Sequence, residues 1–234
     1  MAAALGVLAS CGSVKSGEDA IAASRDSKVV VAYVTSWSDV MPDPQCMTHI
    51  NYAFGHVNVS FNGVKIDNEE HKKQIVDLKK QKPDLKVLLS IGGWGSGRFS
   101  EMAANDEYRR AFAVDCERVV EEFALDGIDI DWEYPTSSMA NISSSPDDTE
   151  NFTLLMQDIR AAIGNEKELT LATVASARYI DFKAILPSVD FVNIMAYDMA
   201  SAPKHHSALY PSGHSGDITS DGAVTAHLKA GVPP

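Results

Sequence analysis

The sequence predicts an α/β fold built on a parallel sheet, and three observations carry that expectation. From about residue 28 onward, short runs rich in β-branched residues alternate with stretches whose apolar residues recur at helical spacing. The strand-like runs are hydrophobic nearly throughout, as strands covered on both faces must be. Polar residues gather toward the C-terminal ends of those runs, where a parallel barrel carries its chemistry.

Taken in order, "KVVVAYVTSW" (28–37), "HINYAFGHVN" (49–58) and "KVLLSIGG" (86–93) read as the first three strands. "GIDIDWEY" (127–134), "LTLATVAS" (169–176) and "DFVNIMAYD" (190–198) follow as the fourth, fifth and sixth. Between them, residues 68–81 and 106–123 have helical spacing, with Asp106 placed to cap the second helix. Residues 147–163 repeat the pattern: Asp147 or Asp148 can cap, Phe152, Leu155, Ile159 and Ile163 share a face, and Gly164 can end the helix. A shorter helix over 179–186 stops at Pro187, and a last one spans about 221–230. Six strand-then-helix units in series favour a barrel over an open sheet, although periodicity alone admits both. An eight-unit barrel takes about 250 residues or more. The expectation is therefore a (β/α)8 TIM barrel of which only about the first six units are present, occupying residues 28–234 behind a leader of residues 1–27.

The chain has 234 residues, 45% of them hydrophobic, enough for one large domain with a well-buried core. A net charge of -12 argues against nucleic acid as a partner, because that affinity rests on Lys and Arg contacts to phosphate. A monomer that binds a neutral or cationic partner fits better. Cys11, Cys46 and Cys116 form no CxxC pair, so neither a zinc site nor a disulfide framework is expected, and Cys46 and Cys116 read as buried thiols. The opening "MAAALGVLASCGSVKSGEDA" is a short apolar run that ends at Leu8-Ala9-Ser10-Cys11. It resembles a bacterial lipobox, which makes Cys11 a lipidation candidate and the protein an exported, lipid-anchored or secreted one; the alternative is a disordered apolar N-terminus that is retained. No later segment is long and apolar enough to span a bilayer.

The chemistry concentrates in "DGIDIDWEYP" (126–135). In an extended strand residues i, i+2 and i+4 share a face, so Asp129, Asp131 and Glu133 crowd together while Ile128, Ile130 and Trp132 point the other way. Three carboxylates on one inward face cannot all ionise cheaply, so their pKa values separate and at least one proton is retained. That is how a general acid is kept protonated near neutral pH. A solvated edge strand would need water on that face, which two isoleucines facing helices argue against. A metal site is not expected either, since the order of an EF-hand loop is absent. Ser90 precedes Ile91-Gly92-Gly93-Trp94, where glycines let the backbone bend near a ligand and the indole offers an apolar wall. Glu133 closes the fourth strand, and Tyr197 and Asp198 close the sixth.

These residues resemble glycoside hydrolase family 18. "DGIDIDWEYP" fits its DxxDxDxE signature with Asp126, Asp129, Asp131 and Glu133 in the acidic places, "LLSIGGW" (88–94) resembles its SxGG motif, and "NIMAYD" (193–198) its MxYD motif. The resemblance covers about residues 28–234, and Trp132, Tyr134 and Pro135 look like the chitinase branch. It implies hydrolysis of β-1,4 bonds in chitin or N-acetylglucosamine oligosaccharides without a cofactor, by a retaining, substrate-assisted route that departs from the two-carboxylate scheme. Glu133 would then be general acid and base, and Asp131 would orient the substrate's acetamido group. Asp129 would share a proton with Asp131, supported by Tyr33 and Ser90. Tyr197 would donate to the acetamido oxygen, Asp198 would bind sugar hydroxyls and Met195 would shape the pocket. Phe54 and Trp94 match apolar subsite positions, while remaining open to a core-packing reading; Asp126 reads as structural.

Two other readings share the resemblance: an endo-β-N-acetylglucosaminidase acting on the chitobiose core of N-glycans, and a carbohydrate-binding lectin without catalysis. The family's eighth strand ends in a Trp beneath the distorted sugar, whereas Trp37, Trp94 and Trp132 all lie in earlier strands. The sequence thus reads as a C-terminally truncated barrel with two uncovered sheet edges. "KHHSALYPSGHSG" (204–216) reads as a long loop at the active-site end.

Overall fold

The computed structural model describes residues 28–234. The leader over 1–27 and its lipidation candidate Cys11 lie outside them. Among the described residues, seven strands form one sheet: β1 (Val31–Thr35), β2 (His49–Val57), β3 (Val64–Ile66), β4 (Lys86–Gly92), β5 (Gly127–Asp131), β6 (Glu168–Val174) and β7 (Phe191–Met195). The path runs β1-β2-β4-β5-β6-β7 and every pairing along it is parallel. These are the six strands read from the sequence, laid side by side in chain order as successive barrel units must be.

β3 is the unforeseen one. It pairs antiparallel with Gly55–Val57, the end of β2 that runs past the β1 pairing, through a turn closed by Asn58 N–H donating to the Gly63 carbonyl at 2.8 Å. Three residues are too few for a period-two pattern to stand out.

The helices are α1 (Glu69–Asp77), α2 (Phe99–Ala104), α3 (Asp106–Glu122), α4 (Asp148–Ile163), α5 (Phe182–Ile185) and α6 (Ser220–Ala230). The cap of α3 is Asn105, not Asp106: Asn105 has the extended backbone of an N-cap and accepts from the N–H groups of Glu107 and Tyr108, while Asp106 is already helical and pairs with Arg109 at 2.9 Å. On α4, Asp147 stands at the cap position without a side-chain bond, and Asp148 turns inward instead. There it accepts from Ser100 Oγ and Ser145 N–H, each at 2.7 Å, and pins the β5–α4 connection. Gly164 ends α4 with φ +73°, as predicted. α5 is shorter than the 179–186 expected, because Asp181 caps it by accepting from Ala184 N–H.

The core lies between the sheet and its helices. Ile128, Ile130 and Trp132 turn outward and are buried, with Trp132 stacked on Phe99 at 5.3 Å and edge-on to Phe152 at 5.9 Å. Phe112, Cys116 and Val119 of α3 and Phe152, Leu155, Ile159 and Ile163 of α4 complete it. Each such side chain contributes about 1.5–3 kcal/mol by leaving water. Cys116 is the buried thiol expected, its pKa pushed up by burial. Cys46 is not: it is exposed, because it sits in the 3-10 turn Pro44–Cys46 that carries the surface connection into β2.

Candidate active site

The outward packing of Ile128, Ile130 and Trp132 forces the alternate residues inward. Asp129, Asp131 and Glu133 are 0%, 5% and 9% exposed. β5 ends at Asp131, so Glu133 lies two residues past the strand rather than within it. The end of β4 presses close to it. Gly93 N–H donates to the Asp131 carbonyl at 2.9 Å, and a Cβ at Gly92 would stand 1.9 Å from that same oxygen. Gly92, at φ +134°, therefore admits no side chain.

Asp129 is enclosed by donors. Its Oδ2 accepts from Tyr33 at 2.9 Å and Ser90 at 2.8 Å, and its Oδ1 from Thr170 at 2.6 Å and the Asn193 amide at 3.2 Å. Burial still raises its pKa, against the pull of those bonds. Tyr33 and Ser90 thus stand where the sequence reading put them; Thr170 and Asn193 were missed. Asn193 left a signal, as the one polar residue of β7, on its inward face with Met195. Thr170 left none within β6, where Glu168 and Thr173 are polar too; it is the register partner of Asp129.

Asp131 has the opposite surroundings. Its Oδ1 is buried without a partner, and burial, Glu133 and Asp129 together push its pKa well up. No hydrogen bond joins it to Asp129 among the described residues, so the contact for a shared proton is not made here. Asp131 is the acid least able to hold a charge until something donates to it. Glu133 is also raised, first by burial and then by the Asp198 carboxylate.

Glu133 stands where two recesses meet, one of about 580 Å³ and one of about 410 Å³, which share Trp94, Met195, Tyr197 and Asp198 as walls. Phe54 lines the smaller recess and lies 6.2 Å from the Trp37 ring, so it is a cleft wall rather than a core residue. Trp94 is 61% exposed and meets Tyr134 edge-on at 6.4 Å. Tyr134 stacks on Tyr179 at 5.4 Å, which brings Tyr179, unassigned from the sequence, into the wall of the larger recess.

β7 ends at Met195, so Tyr197 and Asp198 sit on the connection beyond it, not in the strand. Burial and the nearby Asp131 and Glu133 push the Tyr197 phenol up to about 12, which keeps it a donor at neutral pH. Asp198 pairs with His206 at 3.2 Å, and the His206 ring lies parallel to Tyr197 at 6.4 Å. The loop over 204–216 therefore reaches the site, as expected. Asp126 does not: it accepts from Val87 N–H at 2.7 Å and pairs with Lys79 at the opposite end of β5. Among the described residues no three His, Cys, Asp or Glu side chains form a metal-ligand group, and no helix is long and apolar enough to cross a membrane. What remains is a row of acids whose pKa values burial raises, opening onto a cleft walled by aromatic rings.

Residues 29–234 match the family described as Glycosyl hydrolases family 18. The chain is 32% identical to Chitotriosidase-1 of Mus musculus, over 87% of this chain and 50% of that protein. It is 30% identical to Chitinase A1 of Niallia circulans, over 92% of this chain and 39% of that one. Among solved structures, the chitinase domain of the spore coat protein CotE from Clostridium difficile superposes with a TM-score of 0.83 at 36% identity, covering 88% of this chain and 62% of that one. A family 18 N-acetylglucosaminidase from Paenibacillus barengoltzii gives 0.80 at 38% identity, covering 88% and 65%. The chain thus spans half the length or less of these curated relatives.

Proposed function

Because the chain belongs to glycoside hydrolase family 18, we propose that the protein hydrolyses β-1,4-linked N-acetylglucosamine polymers, chitin or its oligosaccharides, with retention and with the substrate's own acetamido group as nucleophile. The observation that carries this reading is the contrast along β5: Asp129 satisfied by donors, Asp131 buried with an open oxygen, and Glu133 raised in pKa at the meeting of two recesses.

Glu133, protonated, gives its proton to the glycosidic oxygen as the bond to the anomeric carbon breaks. The acetamido carbonyl oxygen bonds to that carbon from the opposite face, and Asp131 accepts from the acetamido N–H, gaining the donor it lacks as positive charge develops on the oxazolinium ring. Water, deprotonated by Glu133, then opens the ring with net retention, and the carboxyl regains its proton. Tyr197 donates to the acetamido oxygen and aligns it. Asp129, held by Tyr33, Ser90, Thr170 and Asn193, sets the field behind Asp131. Asp198 takes sugar hydroxyls, Met195 bounds the pocket, and Trp94 and Phe54 offer apolar faces to pyranose rings.

The test is Glu133→Gln in the protein assayed on chitooligosaccharides. Loss of the acid is expected to lower kcat by at least about 100-fold, the typical contribution of a general acid. Turnover that survives the substitution would remove Glu133 from the role.

A further inference from the structure

We propose that Asp67, His56 and Ser96 form a strut that fixes the Trp94 loop, which makes His56 a positioning residue for the sugar ring that the indole receives; the inference rests on the glycosidase reading above. His56 lies near the end of β2, opposite Lys65 of β3. Its Nε2 meets Asp67 Oδ2 at 3.0 Å and its Nδ1 meets Ser96 Oγ at 2.8 Å. In the neutral imidazole Nε2–H donates to the carboxylate and Nδ1 accepts from the serine hydroxyl. Asp67 is held in turn: its N–H donates to the Phe54 carbonyl at 3.1 Å, and Lys65 pairs with its Oδ1 at 3.4 Å.

The other end of the strut needs holding. Residues 93–96 make a turn closed by Ser96 N–H donating to the Gly93 carbonyl at 3.0 Å, with glycines at φ +91° and +80° on either side of Trp94. Its indole is 61% exposed. Among the described residues, the Ser96 hydroxyl makes the one side-chain hydrogen bond that leaves residues 93–97. A large exposed ring on a glycine-rich turn loses binding energy to its own disorder unless the turn is tied down. The strut ties it to β2 and β3, and gives the short, unforeseen β3 a role: it delivers Asp67. The Ser-His-Asp order does not point to acyl transfer, because Ser96 lines neither recess whereas His56 lines the smaller one.

The expected effect is on binding, not chemistry. Ordering one side chain at a binding site accounts for about threefold to tenfold in affinity. His56→Ala should raise KM for a four-unit chitooligosaccharide by that factor and leave kcat within about twofold, and His56→Gln, which restores a donor and an acceptor, should recover part of the loss. In a Trp94→Ala background the same His56→Ala substitution should change KM by no more than about twofold, because the strut then has nothing to position. Equal rises in both backgrounds, or a fall in kcat at constant KM, would overturn the proposal. Should His56→Ala fail to fold, Ser96→Ala cuts the strut from its exposed end. Should the wild-type protein neither bind nor cleave the oligosaccharide, the functional reading fails and the strut is judged without sugar. In Trp37→Phe protein, where Trp132 is buried, time-resolved fluorescence anisotropy should show a fast component gained on His56→Ala; identical decays would refute it.

Discussion

Replacing Thr170 with valine removes one donor from the fully buried Asp129 carboxylate and changes little else in shape. Thr170 Oγ1 stands 2.6 Å from Asp129 Oδ1, and both residues are fully buried. A hydrogen bond to an ionised group is worth about 1.5–3 kcal/mol and one between neutral groups about 0.5–1.5 kcal/mol, so the loss should be larger by about 1 kcal/mol when Asp129 is charged. That difference corresponds to a further rise of somewhat under about one pKa unit. The sign follows from the preference of the Thr170 bond for the ionised carboxylate: its loss lifts the Asp129 pKa further above the value that burial has already raised. Such a group contributes stability that is fully present below its unfolded value, about 3.9, and lost as pH rises through the folded one. Urea unfolding of wild type and Thr170→Val across a series from about pH 4 to about pH 9 should therefore show a destabilisation that grows toward alkaline pH. A flat difference would mean that Asp129 does not change charge in that window. A difference that shrinks with pH would mean that the Thr170 bond favours the neutral carboxyl, opposite to the direction expected.

Gly92→Ala should destabilise the protein by more than the about 1–3 kcal/mol of a strained backbone, because the added Cβ also meets the Asp131 carbonyl; unchanged thermal unfolding would place the β4 end elsewhere. The Asp198 carboxylate helps raise the pKa of Glu133, so Asp198→Asn should move the alkaline limb of the kcat/KM profile to lower pH. A shift to higher pH in the same titration would show that the charge acts on another group.

The parts of this molecule visible in its sequence are those set by a short repeat. Period two along "GIDIDWEY" places Asp129, Asp131 and Glu133 on one face and their apolar neighbours on the other, and the burial of Ile128 and Ile130 with the packing of Trp132 against Phe99 of α2 and Phe152 of α4 makes that division real. Strand ends were less visible, because hydrophobicity continues past the last ladder bond: Glu133, Tyr197 and Asp198 all sit on connections beyond their strands. The cap of α3 was placed one residue late, since Asn105 and Asp106 are both good caps and backbone angle decides between them. Thr170 needed the register of a neighbouring strand, which no local pattern contains. His56, Asp67 and Ser96 lie on three separate segments of the chain, and the pairing of β2 with both β3 and β4 brings them together.

The central claim is that the acid row acts through the substrate's acetamido group, with Asp131 waiting for its N–H. It is tested most directly by kcat/KM for a fully N-acetylated chitooligosaccharide and for the same oligosaccharide fully deacetylated. The account predicts cleavage of the first and none of the second, which has no carbonyl to attack the anomeric carbon. Comparable cleavage of the deacetylated chain would contradict it, because the nucleophile would then have to come from the protein or from water.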